Sequence, residues 1–145
     1  MFAALSDSLL ELEAILVGTA MGTTQVGNMV QFADGSGYME IWPACSSFAN
    51  VSLAILCWVT FCQVNGHRAT RRTLGWCVLA CMAVVAINVF RISLIGFFPH
   101  YYELLHGPIG YSTAGWLTLL VSVGVCALGV GPKHDISSPH RVAHA

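Results

Sequence analysis

The chain has 145 residues and a formal net charge of −1; 56% of its residues are hydrophobic and only 9% are Asp, Glu, Lys or Arg. Soluble domains carry about 25% charged residues, so the chain lacks the polar surface of a water-facing globule, and its mean hydropathy of +0.70 points to an integral membrane protein. The near-neutral balance offers no basic excess for nucleic acid, and so apolar a chain is not an intrinsically disordered one.

In chain order, Leu5, Leu9, Leu12 and Leu16 recur at helical spacing, with Asp7, Ser8, Glu11 and Glu13 mostly between them and Ser6 or Asp7 placed to cap the start. This pattern predicts an interfacial helix. The alternative, a fourth span from about Ala14 to Val30, carries Gly22-Thr23-Thr24-Gln25 in its middle, which suits a bilayer poorly. No charged n-region precedes the apolar run, and Glu11 and Glu13 stand in its place, so the segment is expected to be retained rather than cleaved as a signal peptide. Two runs, 26–32 and 38–42, flank Ala33-Asp34-Gly35-Ser36-Gly37 and predict a small β-hairpin.

Crossing about 30 Å of hydrocarbon takes about 20 apolar residues as a helix. Three stretches meet that requirement, 46–64, 74–98 and 113–131, so the expected fold class is an all-α membrane bundle with a small outer-face hairpin. The segment 65–73 carries Arg68, Arg71 and Arg72, and the tail after the third span carries Lys133 and Arg141. By the positive-inside rule both are cytoplasmic, which places Cys45 and the 98–112 loop on the outer face with Asp34, Glu40 and Glu103. Residues 1–131 read as one membrane-embedded domain and 132–145 as a polar, disordered cytoplasmic tail.

Arg91 interrupts the second span. An ionisable group at membrane depth is costly unless paired or hydrated, which makes it a functional candidate; the bland alternative is snorkelling over the roughly 10 Å to the outer end. Asn88 lies three residues earlier on the same face, placed to hold the guanidinium from below. Cys45 stands at the outer boundary, whereas Cys57 is mid-span and Cys62, Cys77, Cys81 and Cys126 fall in the cytoplasmic halves of their spans and read as packing. The chain has no CxxC pair. A helix starting at Ser46 or Ser47 would turn its dipole and free N–H groups toward Cys45, favouring a thiolate or binding an oxyanion.

Of the six histidines, His67 lies in the cytoplasmic loop and His134, His140 and His144 in the tail, so only His100 and His106 share a face with Cys45. His100 reads as interfacial. Glu103 precedes His106 by one turn and would orient its ring in a helical segment. Trp42, Phe97, Phe98, Tyr101, Tyr102 and Tyr111 suit an outer aromatic belt and Trp76 an inner one, while Trp58 reads as packing. Topology thus gathers a thiol, an imidazole and a guanidinium: a nucleophile, a base and an oxyanion or carboxylate clamp. No metal site or cofactor is expected.

Pro43-Ala44-Cys45-Ser46-Ser47-Phe48, Asn88-Val89-Phe90-Arg91 and His106-Gly107-Pro108-Ile109-Gly110, in this order and spacing, resemble the exosortase/archaeosortase family, whose motifs are A-C-S-G-like, N-x-x-R and H-x-x-x-G. Gly27-Asn28-Met29-Val30 and the hairpin look like the stretch preceding the family's cysteine. The resemblance implies a membrane-embedded cysteine transpeptidase or protease at the plasma membrane, with Cys45 as nucleophile, His106 as acid/base and Arg91 as transition-state or substrate anchor, supported by Asn88, Ser46, Ser47, Glu103 and Gly110. The implied substrates are secreted proteins with C-terminal sorting tails, made of a short motif such as Pro-Glu-Pro, a transmembrane helix and a basic cluster. Ser47 stands where the family motif has glycine. Typical members have more spans, so the chain corresponds to a catalytic core, working alone or completed by a second copy or a partner membrane subunit. The rival reading from the residues is a non-catalytic small membrane protein that serves as a subunit or assembly partner.

Overall fold

The computed structural model describes residues 2–130; the tail from Pro132 and the last residue of the third expected span, Gly131, lie outside the described residues. Five helices and one small sheet follow in the order α1 (Phe2–Met21), β1 (Gln25–Val26), β2 (Met29–Gln31), β3 (Tyr38–Glu40), α2 (Phe48–Val64), α3 (Arg71–Phe97), α4 (Tyr102–His106) and α5 (Pro108–Val130). Single 3-10 turns at Pro43–Cys45 and Pro99–Tyr101 lead into α2 and α4. Three segments are long and apolar enough to cross a membrane: Pro43–Val64, Arg71–Phe97 and Pro108–Val130.

The long helices agree with the sequence expectation, with shifted ends. Thr70 and Thr73 form a reciprocal capping box that starts α3 at Arg71, ahead of its apolar run. Pro108 opens α5 five residues before the expected start at Thr113, since proline's missing N–H costs nothing in a first helical turn. The 98–112 loop therefore contracts to a turn, the short α4 and Gly107.

At the N-terminus the disfavoured alternative falls away and one expectation is revised. A fourth span through Val30 does not form, because α1 ends at Met21. Gly22, at φ +67°, supplies the left-handed step, with Gly22 N–H donating to the Thr19 carbonyl at 3.2 Å and Thr23 N–H to the Gly18 carbonyl at 2.9 Å. This is a Schellman termination, and β1 begins three residues later. Nor does α1 lie across the end of the bundle: it runs alongside α3 in the same direction, with Glu13 against Asn88 and Met21 against Gly96. Its inward face is Leu10, Glu13, Ala14, Val17 and Met21, whereas Leu5, Leu12 and Leu16 are exposed. The leucine stripe instead borders an apolar groove of about 850 Å³ between α1, α2 and α3.

The expected hairpin is a three-stranded antiparallel meander, β1-β2-β3. The run 26–32 breaks at Gly27-Asn28, a two-residue turn with Gly27 at φ +63°, so that Val26 pairs with Met29 while Val30 pairs with Met39. At the far turn the Ser36 side chain and then its N–H hydrogen-bond Asp34 and hold its carboxyl below the usual value.

Two apolar clusters hold these parts together. Leu10, Ala14, Val17, Met21, Val30, Ile41 and Ile92 join α1 and the sheet to the end of α3, with Cys45 and Val89 packed against them. Ala54, Ala80, Val84 and Cys126 join α2, α3 and α5 further along the bundle. Met21 fills the space where a Gly96 side chain would stand, so Gly96→Val should displace Met21 and overpack the first cluster by about 1–3 kcal/mol. Thermal unfolding in detergent measures this, and an unchanged midpoint would mean that α1 is not seated there.

Candidate active site

The sheet, the 3-10 turn before α2, the last turns of α3 and the short α4 enclose a cavity of about 470 Å³. Its walls are Phe32, Met39, Glu40, Ile41, Trp42, Ala44, Cys45, Arg91, Ile92, Ile95, Tyr102 and His106. All three residues singled out as nucleophile, clamp and base line this one space, although they come from the turn before α2, from α3 and from the end of α4.

Cys45 closes the Pro43–Cys45 turn, its N–H donating to the Trp42 carbonyl at 2.8 Å. Its thiol is free and half-buried. The expected helix start directly after it is displaced: α2 begins at Phe48, with Ser47 in the N-cap position but not capping through its side chain. The two N–H groups of the α2 start that come first after the Cys45–Ser46 step are already engaged. Phe48 N–H donates to Ser46 Oγ at 3.3 Å, and Ser47 N–H donates to the Glu13 carboxylate at 3.0 and 3.2 Å. Ser47 Oγ also bonds Glu13.

Glu13 is the site-region residue that sequence reasoning passed over. It is fully buried, and its partners lie 34 and 75 residues away. The only signal in the sequence was a carboxyl at a position that a core-facing helix would bury, and the neighbouring leucine stripe drew attention to the other face.

Asn88 does not support Arg91 from below. Its amide donates to the Cys45 carbonyl at 2.8 Å and to Glu13 Oε1 at 3.4 Å. Arg91 lines the main cavity on one side and, with Asn88, Tyr111 and Thr118, a narrow space of about 70 Å³ on the other. Its Nε is buried without a hydrogen-bond partner among the described residues. The cation in the cavity wall is thus not already committed at that nitrogen to a protein carboxylate.

No family model, curated protein or solved structure matches this chain. What the cavity can do therefore rests on its own chemistry.

His106 ends α4 and is exposed, its ring stacked on Tyr102 at 4.9 Å between centroids and 20° between planes. Tyr102, read from the sequence as a belt residue, is thus the imidazole's neighbour. The residue against the ring is therefore Tyr102 rather than the expected Glu103, whose carbonyl accepts from Gly107 N–H at 3.0 Å and closes α4. Gly110 has a clear purpose: a Cβ there would run into the carbonyls of Leu105 and Leu104. Its absence lets the start of α5 fold back on α4 and keep His106 at the cavity rim. Gly110→Val should force this elbow open at a cost of about 1–3 kcal/mol, read as a lower unfolding midpoint in detergent. Wild-type stability in that variant would refute the steric account. His100 lies on the 3-10 turn outside the cavity wall.

Proposed function

We propose that this chain is a membrane-embedded cysteine transpeptidase or protease that removes C-terminal sorting tails from secreted proteins. The observation that carries the reading is the convergence of Cys45, Arg91 and His106 on one cavity at the sheet end of the bundle. That end is assigned to the outer face of the plasma membrane because Arg68, Arg71 and Arg72 lie at the opposite end. A peptide bond just outside a substrate's transmembrane helix lies at the same level.

In this mechanism the His106 imidazole takes the Cys45 proton as Sγ attacks the scissile carbonyl carbon. Negative charge develops on the carbonyl oxygen, and Arg91, uncommitted at Nε, is the group that meets it. The tetrahedral adduct collapses with cleavage of the C–N bond; His106 returns the proton to the leaving amine, and the helical, basic-ended tail departs. The thioester on Cys45 is resolved by an acceptor amine or by water, whose attack restores the thiol. The imidazole lines the same cavity as the thiol, stacked on Tyr102, and is itself exposed.

The second reading, a non-catalytic subunit, draws on the apolar groove along α1, α2 and α3, which has the character of a surface completed by another helix. One experiment separates the two: mass spectrometry of protein C-termini in the native host, comparing wild type with Cys45→Ala at equal expression. Catalysis predicts a set of proteins that keep a hydrophobic, basic-ended tail only in the variant. No changed C-terminus would refute catalysis and favour the subunit reading. Topology has its own check, since an impermeant thiol reagent applied outside should modify Cys45 and no other cysteine. Labelling of Cys62 or Cys77 would invert the assigned orientation.

A further inference from the structure

We infer that Glu13 is a positioning residue, a buried carboxylate latch that holds the Cys45 thiol at the cavity wall from the far side of the chain. Cys45 sits on a thin connection. The step from the 3-10 turn into α2 passes through Ser46 in extended geometry (φ −68°, ψ 149°), and neither a strand nor a helix supports it there. Two tethers replace that support. On one side Asn88 donates to the Cys45 carbonyl, and on the other Glu13 accepts both the N–H and the hydroxyl of Ser47, two residues on. Asn88 also donates to Glu13, so the two tethers form a single network joining α1, α2 and α3.

The energetics favour a dedicated role. A carboxyl in an apolar interior is costly unless donors cover its oxygens, and here every donor comes from the cysteine's own connection or from the residue that binds its carbonyl. The first turn of α2 adds the positive end of a helix dipole, which suits a carboxylate. Ser47 N–H has Glu13 as its partner, so removing the carboxylate frees the connection on its α2 side and leaves Asn88 as the remaining side-chain tether, beside the backbone bonds of the 3-10 turn. Cys45 also packs against the cluster that the inward face of α1 builds. The seat of the thiol is therefore set in part by a helix that contributes no residue to the cavity wall.

The inference concerns where the thiol is held; only its consequence for turnover rests on the proposed catalysis. The test is peptide-resolved alkylation of the purified full chain in detergent with N-ethylmaleimide, measured as a rate against pH at Cys45, Cys57 and Cys81. Glu13→Ala should raise the Cys45 rate at least about fivefold through local opening, with Cys57 and Cys81 unchanged. Glu13→Gln, which keeps one acceptor for Ser47 N–H, should raise it less, and Leu12→Ala on the exposed face of α1 should leave it unchanged. An unaltered Cys45 rate in Glu13→Ala overturns the latch, and so does a rise matched at Cys57 and Cys81, which reports general loosening. If Glu13→Ala does not fold, Glu13→Gln decides: a rise confined to Cys45 supports the latch, and no rise overturns it. A selective rise together with unchanged C-termini in the Cys45→Ala host would sink the catalytic reading and leave the latch standing.

Discussion

On the proposed catalysis, Arg91→Ala is expected to slow tail release from a reconstituted substrate by at least about 10²-fold, the usual cost of losing a donor to a developing oxyanion. The same substitution should not weaken the fold. Arg91 Nε is buried without a partner among the described residues, and an uncompensated polar or charged group in an apolar setting is a cost to the folded state. Arg91→Met, which keeps most of the volume, should therefore unfold at the same temperature as the wild type or higher while remaining inactive. Arg91→Lys should recover little, because an ammonium is a point charge that cannot reproduce a planar fork of donors. The measurement is single-turnover release of the tail in proteoliposomes, paired with thermal unfolding of each variant. Full activity in the lysine variant would reduce Arg91 to a local charge, and a large drop in unfolding temperature for Arg91→Met would make it structural.

Asn88→Ala should cost about 2–4 kcal/mol of stability. The amide side chain is buried and donates to two acceptors on different elements, the Cys45 carbonyl at 2.8 Å and Glu13 Oε1 at 3.4 Å. Orphaning the buried Cys45 carbonyl costs about 1–3 kcal/mol, the Glu13 carboxylate loses one of its donors and the buried side chain leaves a void, and little water is at hand to replace the lost donor inside an apolar bundle. Asn88→Asp should be worse, since it sets a second carboxyl against Glu13 and supplies no N–H. Unfolding midpoints in detergent order the variants as wild type, alanine, then aspartate. If Asn88→Ala unfolds with the wild type, the network joining α1, α2 and α3 is not a source of stability, and the seat proposed for Cys45 loses one of its two tethers.

What could be read from the residues and what could not divides along a physical line. The three long apolar helices were legible because hydropathy adds up locally: the eighteen uncharged residues 73–90 before Arg91 call for burial whatever surrounds them. Arg91 was conspicuous for the same reason, as the one charge within such a run. The face that α1 would bury was not legible. Leu5, Leu12 and Leu16 make the more apolar stripe, yet Leu10, Glu13, Ala14 and Val17 turn inward. Small side chains let α1 approach α3 closely, and the donors of Ser47 and Asn88 require an acceptor, so the choice depends on what two distant segments present.

The sequence by itself determined that the chain is a membrane-type helical bundle, and that one cysteine, one arginine and one histidine stand apart from its packing residues. Only the tertiary structure decided that these three share a cavity, that the first N–H of the α2 cap is spent on Glu13, and that Asn88 serves Cys45 rather than Arg91. Hydropathy is a property of each segment alone. Hydrogen-bond satisfaction in a buried interior is a property of the whole assembly, settled when donors from one helix meet acceptors from another.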